Sequence, residues 1–245
     1  MYQVLVTAIV RNNATWIPQF YAMVDNLRRN IPSIHFDTFV YENDSVDASK
    51  SMLRSNFYSA THGHPWDRRS RTKRLAFYRN DMKKHIKNID SYDYTLMVDS
   101  EILFGHRAFE YLFETLQDDG GIAMVIPHAM VKHAVPCEFY YDTFAMKKKQ
   151  FDSVVECTHT GAKHDRHCHR VNCGEFPIIR AEDPKITEVK YGFGGFVLIR
   201  QKFFTACEWG VLTETDCEHW LFCDAVRKMG GKIAMNRLSR VLWSE

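Results

Sequence analysis

Residues 92–105, Tyr92-Asp93-Tyr94-Thr95-Leu96-Met97-Val98-Asp99-Ser100-Glu101-Ile102-Leu103-Phe104-Gly105, decide the reading of this chain. Tyr92, Tyr94, Leu96 and Val98 alternate as the residues of a pleated strand do, and the apolar run stops at two carboxylates separated by one small residue. The strand over Tyr94 to Val98 therefore delivers Asp99 and Glu101 at its carboxyl end, where a loop begins. Hard cations such as Mg²⁺ and Mn²⁺ take oxygen ligands, and an ion held by one or two carboxylates can bridge to a substrate's phosphates. Solvated loops also carry Asp and Glu, so the pair gains weight only from what surrounds it.

Outward from that strand, helices and strands alternate. Tyr2 to Val10 is β-branched and apolar, Ala14 to Leu27 has helical spacing, and Ile34 to Tyr41 returns to strand character. A further helix is expected after Asp47, and a long one from Arg71 to Ile86, with Leu75, Tyr78, Met82 and Ile86 on one face. A helix through Phe109 to Leu116 and a strand over Ile122 to Ile126 follow the acid pair. Pro127 to Lys190 breaks into short apolar pieces, aromatics and histidines, which reads as an insertion-rich substrate region. Regularity resumes with a strand over Gly195 to Arg200, a helix over Glu218 to Lys228 and a last strand over Lys232 to Met235. Such alternation predicts an α/β fold with a mostly parallel sheet flanked by helices, whose ligands bind beyond the strands' carboxyl ends.

Composition narrows the function classes. The 245 residues are 45% hydrophobic and 25% charged, ordinary for a globular domain, and 32 basic against 30 acidic residues leave a formal charge of only +2. Attraction to anions must be local, so nucleic acid is not an expected partner. No apolar run approaches the roughly 18 residues of a membrane span, and the opening Met-Tyr-Gln-Val-Leu-Val reads as a first strand without a basic leader. Seven cysteines without dense regular spacing suit free thiols in a reducing compartment. Asn13-Ala14-Thr15 and Asn43-Asp44-Ser45 are N-glycosylation sequons, but both fall in loops expected at the site, where glycans would obstruct it. The expectation is a cytoplasmic protein; a lumenal catalytic domain trimmed of its anchor would look the same.

Several constellations accompany the acid pair. The loop Glu42 to Asp47 follows the second strand and should open on the same sheet edge as Asp99; its acids suit ribose or base contacts, or Asp44 or Ser45 caps the next helix. The basic run from Arg68 to Lys87 is mostly a solvated helix face, but Arg74, Arg79 and Lys83 are spaced so that a subset can reach a diphosphate, for which arginine's planar fork is suited. Gly192-Phe193-Gly194-Gly195-Phe196 is either an acceptor pocket or a plain tight turn. Asp216-Cys217-Glu218-His219-Trp220 opens a late helix, and Glu218 is a candidate general base. Cys157, His159, His164, His167, Cys168, His169 and Cys173 fit no common structural-zinc spacing, yet they leave a zinc-stabilised interaction domain as a competing reading.

The stretches AIVRN (8–12), YENDSVDAS (41–49), RLAFYRN (74–80), YTLMVDSEI (94–102), YYDTFAMK (140–147), YGFGGFVLIR (191–200) and CEHWLFCDAVRKMGGKIAMN (217–236) occur in the order found in a known family. The chain resembles the fungal capsule-associated α-1,3-mannosyltransferase group, within the glycosyltransferases of the A-type (GT-A, Rossmann-like) fold. That resemblance implies one catalytic domain over 1–245, with 1–126 mainly for nucleotide sugar and metal and 127–245 mainly for acceptor. It implies a donor such as GDP-mannose or a UDP-sugar, bound by Ala8, Arg11, Glu42, Asp44, Arg74, Arg79, Asn80 and Ser100. Asp99 and Glu101 match the metal-binding acidic element, with Glu in place of the second Asp, and His219, the last histidine, is the candidate further ligand of Mn²⁺ or Mg²⁺. Asp142, Gly194 and Gly195 would flank a glycan acceptor, with Asp142 and Glu218 as the catalytic candidates, and the resemblance favours retention at the anomeric carbon. A noncatalytic nucleotide- or glycan-binding module of the same fold is the other alternative. A sugar-nucleotide pyrophosphorylase would be expected to carry glycines after the first strand, where Val10-Arg11-Asn12-Asn13-Ala14 has none.

Overall fold

A computed structural model describes residues 1–54, 56–62, 71–131, 154–155, 176–177, 184–213 and 216–243. The chain opens with β1 (Tyr2–Val10), α1 (Ile17–Asn30), β2 (Ile34–Asn43) and β3 (Phe57–Ala60), followed by α2 (Arg71–His85) and β4 (Tyr94–Val98). Next come β5 (Ile102–Leu103), α3 (His106–Asp118) and β6 (Ile122–Val131), a small pair β7 (Val154–Val155) and β8 (Phe176–Pro177), and β9 (Ile186–Val189). The chain ends with β10 (Phe196–Arg200), α4 (Gln201–Ala206), α5 (Glu218–Lys228) and β11 (Lys232–Trp243).

A nine-stranded sheet runs in the order β3-β2-β1-β4-β10-β6-β11-β5, with β9 added alongside β11. β3, β2, β1, β4, β6 and β11 point one way, and β10, β5 and β9 oppose them. All five residues of β4 are buried, and so are Val4 to Ala8 of β1. Successive strand residues face opposite sides, so unbroken burial means that both faces of the sheet are covered. α1 covers it with Ile17, Phe20, Tyr21, Val24 and Leu27, and α3 with Ala108, Phe109, Leu112 and Leu116, each set at helical spacing. α1 packs beside α3, and α2 beside α5.

Register brings the site together. Val10 pairs with Glu42 across β1–β2, and Thr7 with Met97 across β1–β4, so the loops after β1, β2 and β4 leave the same edge. β10 is antiparallel to β4, with Phe196 opposite Val98; its start therefore lies at the edge where β4 ends. The Asp99 N–H donates to the Gly195 carbonyl at 2.8 Å across that junction.

The helix expected after Asp47 is only a 3-10 turn, Lys50–Met52. Asp47 accepts from the N–H groups of Ser49 (2.9 Å) and Ala14 (3.2 Å), bracing two loops instead of starting a helix. The last strand runs on to Trp243 past an irregularity between Asn236 and Arg240. There the Asn236 side chain turns inward, donating to Thr115 Oγ1 and Tyr111 O and accepting the Leu238 N–H, which hides the strand's alternation. α4 escapes a periodicity reading because six residues give less than two turns.

Candidate functional site

At the common strand edge lies a cleft of about 340 Å³, lined by β1 and the loop after it, the end of β2, α2, the loop after β4, the turn before β10, the start of α5 and the end of β11. Asp99, Ser100 and Glu101 form one wall, and Arg11, Arg71, Arg74 and Arg79 face into the same space, with Asn13, Asn43, Tyr78, Phe193, Glu218, His219 and Trp243 completing it. Local structure explains the convergence. α2 presents Arg71, Arg74, Tyr78 and Arg79 on neighbouring turns, and α5 begins at Glu218, so its first two residues point at the floor.

Arg79 is the electrostatic centre. Its guanidinium NH1 donates to Glu218 Oε1 at 2.5 Å, and NH2 lies 3.8 Å from Asp99 Oδ1. The side chains of Arg79 and Glu218 are 5% and 4% exposed, so the pair is buried, whereas Asp99 is 32% exposed. Phe193 sits beneath the guanidinium, 5.3 Å from ring centroid to Cζ, and the His219 ring stacks on Phe193 at 3.9 Å. Burial, the largest single influence, pushes the Glu218 carboxyl up, but the Arg79 charge, with smaller help from His219, its own backbone N–H and Arg71, holds the group below its ordinary range. Burial first, and the Arg79 charge second, lower the His219 imidazole to about 3, so it is neutral at pH 7.

These contacts give several of the expected site residues other partners. Glu218 is an ion-paired anion, and a carboxylate stabilised in its charged form is a poor general base. His219 belongs to the Arg79 node: Nε2 lies 3.4 Å from Glu218 Oε1, and Nδ1 is buried with no hydrogen-bond partner among the described residues. Cys217, Glu218 and His219 bring ligand atoms within 4.8 Å of one another, but the guanidinium already on Glu218 opposes a second cation there. Asn80 does not line the cleft; its amide donates to Trp209 O at 2.8 Å and accepts the Trp209 N–H at 2.9 Å, tying α2 to the chain after α4. Lys83 likewise turns away, donating to Cys207 O at 2.7 Å at the end of α4.

Glu42 and Asp44 shape the rim and do not line the cleft. Glu42 Oε1 accepts the Ser45 N–H at 2.8 Å and Oε2 accepts the Ser59 hydroxyl, while Asp44, at φ 51°, accepts the His62 N–H at 2.9 Å. Ala8 is buried in β1 beneath the cleft, beside the packed contacts of Arg79, Asp99 and Phe193. Gly194 and Gly195 both have φ 69°, which favours glycine. A Cβ at Gly195 would come within 2.6 Å of Ile102 Cδ1 and 2.7 Å of Trp243 Cζ2, so this glycine makes room for β5 and β11 and leaves no acceptor pocket at its own position. Gly195→Ala is expected to lose about 2–4 kcal/mol from left-handed backbone strain and overpacking, read as a lower urea midpoint. Asp142, Arg68, Arg69 and the Cys157 to Cys173 cluster lie outside the described residues.

Asn13, Asn43, Tyr78 and Trp243 line the cleft without having been named as ligand-binding candidates from the sequence. Asn13 and Asn43, the two sequon asparagines, are 9% and 1% exposed, so neither amide is available to a glycan in the folded chain. The acid loop supplies only oxygen donors in Asp99, Ser100 and Glu101, and it opens on an arginine-lined cavity. That donor set fits a hard divalent ion shared with an anionic ligand.

No protein-family model matches the chain, and a search of curated proteins finds no match. Solved structures do match. A mannosyltransferase, PcManGT from Pyrobaculum calidifontis, in complex with GDP-Man and Mn²⁺, aligns with 98% of this chain at TM-score 0.55 and 10% identity. A crystal structure of a mycobacterial protein aligns with all of it at TM-score 0.54 and 12% identity. The chain spans 56% of the length of the first and 68% of the second. At these identities the likeness is one of fold and gives no support to the fungal group in particular: the chain has a glycosyltransferase-like, GT-A-type α/β fold.

Proposed function

We propose that the chain is a metal-dependent glycosyltransferase catalytic domain that moves a hexose, mannose being the first candidate, from a nucleotide sugar to a glycan acceptor. The observation that carries this reading is the meeting, in one cleft, of the Asp99-Ser100-Glu101 loop with Arg11, Arg71, Arg74 and Arg79. Guanidinium groups beside an acid pair able to hold a divalent cation suit a diphosphate, which needs positive charge around it. Asp99 and Glu101 would hold Mn²⁺ or Mg²⁺, and the bound ion supplies charge neutralisation for the leaving nucleoside diphosphate. Arg79, fixed by Glu218 and Phe193, presents its remaining positive edge to the same charge. Tyr78 and Asn43 bound the end of the cleft nearest β2, where the base and ribose would lie.

The sugar, the nucleotide and the stereochemistry belong to this proposal. GDP-mannose is favoured over a UDP-sugar by the sequence resemblance, and the mannosyltransferase among the fold neighbours is consistent with it. Retention is favoured because Glu218, the base an inverting reaction would draw from α5, is committed to Arg79. In a retaining transfer the departing phosphate can itself take the acceptor's proton. A reducing, cytoplasmic setting is part of the same reading, supported by the buried free thiols of Cys207 and Cys223.

Thermal shift with GDP-mannose, UDP-sugars and Mn²⁺ tests the core of it. A ligand at about one hundred times its Kd adds about 2.7 kcal/mol, roughly 5–10 °C for a domain this size. The Mn²⁺-dependent part of that rise should vanish with chelator and in Asp99→Ala. A shift that survives both would remove the metal role, and no response to any nucleotide sugar would overturn the reading.

A further inference from the structure

We infer that Asn13 is a positioning residue for the acid pair, fixing Glu101 and Ser100 from the loop after β1; this rests on the proposed metal role of Asp99 and Glu101. The Asn13 side-chain amide donates to Ser100 Oγ and, at 3.3 Å, to Glu101 Oε1. Its own backbone is fixed from both sides. The Asn13 N–H donates to Ser49 Oγ at 2.7 Å, and its carbonyl accepts the N–H groups of Trp16 (2.9 Å) and Ile17 (3.1 Å) at the start of α1. Asn12 extends the lacing, its N–H donating to Ser45 Oγ at 3.0 Å and its Oδ1 accepting the Val46 N–H at 2.8 Å. One buried residue thus joins the β2 loop, the start of α1 and the acid loop.

The chemistry suits this task. A glutamate in the second acidic position has one more rotatable bond than an aspartate, so its carboxylate needs an external pin to sit in a ligating geometry. A neutral amide can hold Oε1 without cancelling the charge that a cation requires, which a lysine or arginine at position 13 would do. Asp99, shorter and directly hydrogen-bonded through its backbone to Gly195, has less need of such a partner.

The test titrates Mn²⁺ into nucleotide-free protein and follows the free ion by electron paramagnetic resonance. Asn13→Ala and Asn13→Ser should each weaken Mn²⁺ binding about tenfold or more, while the melting temperature without metal stays close to the parent's because the backbone bonds of residue 13 persist. In a Glu101→Ala background the Asn13 substitutions should have a much smaller effect, since the carboxylate they position is gone and only the Ser100 contact remains. Parent-like Mn²⁺ affinity in both variants, or an undiminished loss in the Glu101→Ala background, overturns the inference and leaves the proposed function standing. Failure of the parent itself to bind Mn²⁺ overturns the metal role and this inference together.

Discussion

Replacing Arg79 with alanine is expected to cost about 3–5 kcal/mol of folding stability, because it strands Glu218 as an unpaired charge in a buried site. The two side chains are 5% and 4% exposed, so water cannot take over the role of the lost guanidinium. For a chain of this length such a loss lowers the melting temperature by roughly 6–20 °C. Glu218→Gln should cost less, since the amide oxygen can still accept from NH1 and Arg79 keeps Asp99 at 3.8 Å. Arg79→Lys keeps the charge but loses the fork that serves two carboxylates at once. It should therefore fall between the two in stability and weaken nucleotide binding more than its stability loss suggests. Replacing both partners with apolar residues of similar volume, Arg79→Met with Glu218→Leu, should recover most of the stability while leaving nucleotide binding lost. Urea unfolding of the four variants decides the matter. If Arg79→Ala lies within 1 kcal/mol of the parent, the pair is not buried in solution and Arg79 is a surface residue.

That pair also marks where sequence reasoning stops. Arg79 and Glu218 are 139 positions apart, and nothing in either segment announces the other. What could be read were features with a local cause. The alternation before Asp99 gives β4, and the apolar spacing after Glu218 gives α5 with the same bounds as in the structure. The α/β class follows from the order of such pieces. Side-chain direction was less legible. Arg79 and Asn80 are adjacent, yet one turns into the cleft and the other is spent on the backbone of Trp209, because helix neighbours lie about 100° apart. Gly195 could be read as room for an acceptor because the glycine was visible and the side chains of Ile102 and Trp243 that fill the space at its Cβ were not. Asn13 and Asn43 matched a glycosylation pattern, and only the folded packing of the loops after β1 and β2 reveals that their side chains are buried. A three-residue motif cannot carry that information.

Lowering the pH from 7 to 4.5 is expected to destabilise the folded chain by roughly 3 kcal/mol through His219 alone. Its imidazole is lowered to about 3 by burial and by Arg79, against 6.5 in an unfolded chain. Between those values the unfolded state binds a proton that the folded state does not, so stability rises with pH across the window and is lost as pH falls from about 6.5. The slope approaches about 1.4 kcal/mol per pH unit. The groups facing the ring account for the direction. Arg79 and Arg71 from α2 repel a protonated imidazole, Glu218 from α5 attracts it, and the Phe193 ring excludes water from one face. Desolvation and the arginines outweigh the single carboxylate, which is already engaged by Arg79. Glu218 adds to the loss only lower down: its folded-state value is depressed, so its contribution is present above about pH 4.5 and disappears as pH falls below that. The two are therefore separable. His219→Phe, which keeps a ring against Phe193, and His219→Asn, which keeps a polar group of smaller size, should both flatten the urea-midpoint profile between pH 6.5 and 4.5 while leaving the decline below pH 4.5. A parent profile with no slope between pH 6.5 and 4.5 would mean that His219 reaches solvent and takes its proton normally. Position 219 would then be open to a cation as well, and the separation drawn between His219 and the acid pair would fail with it.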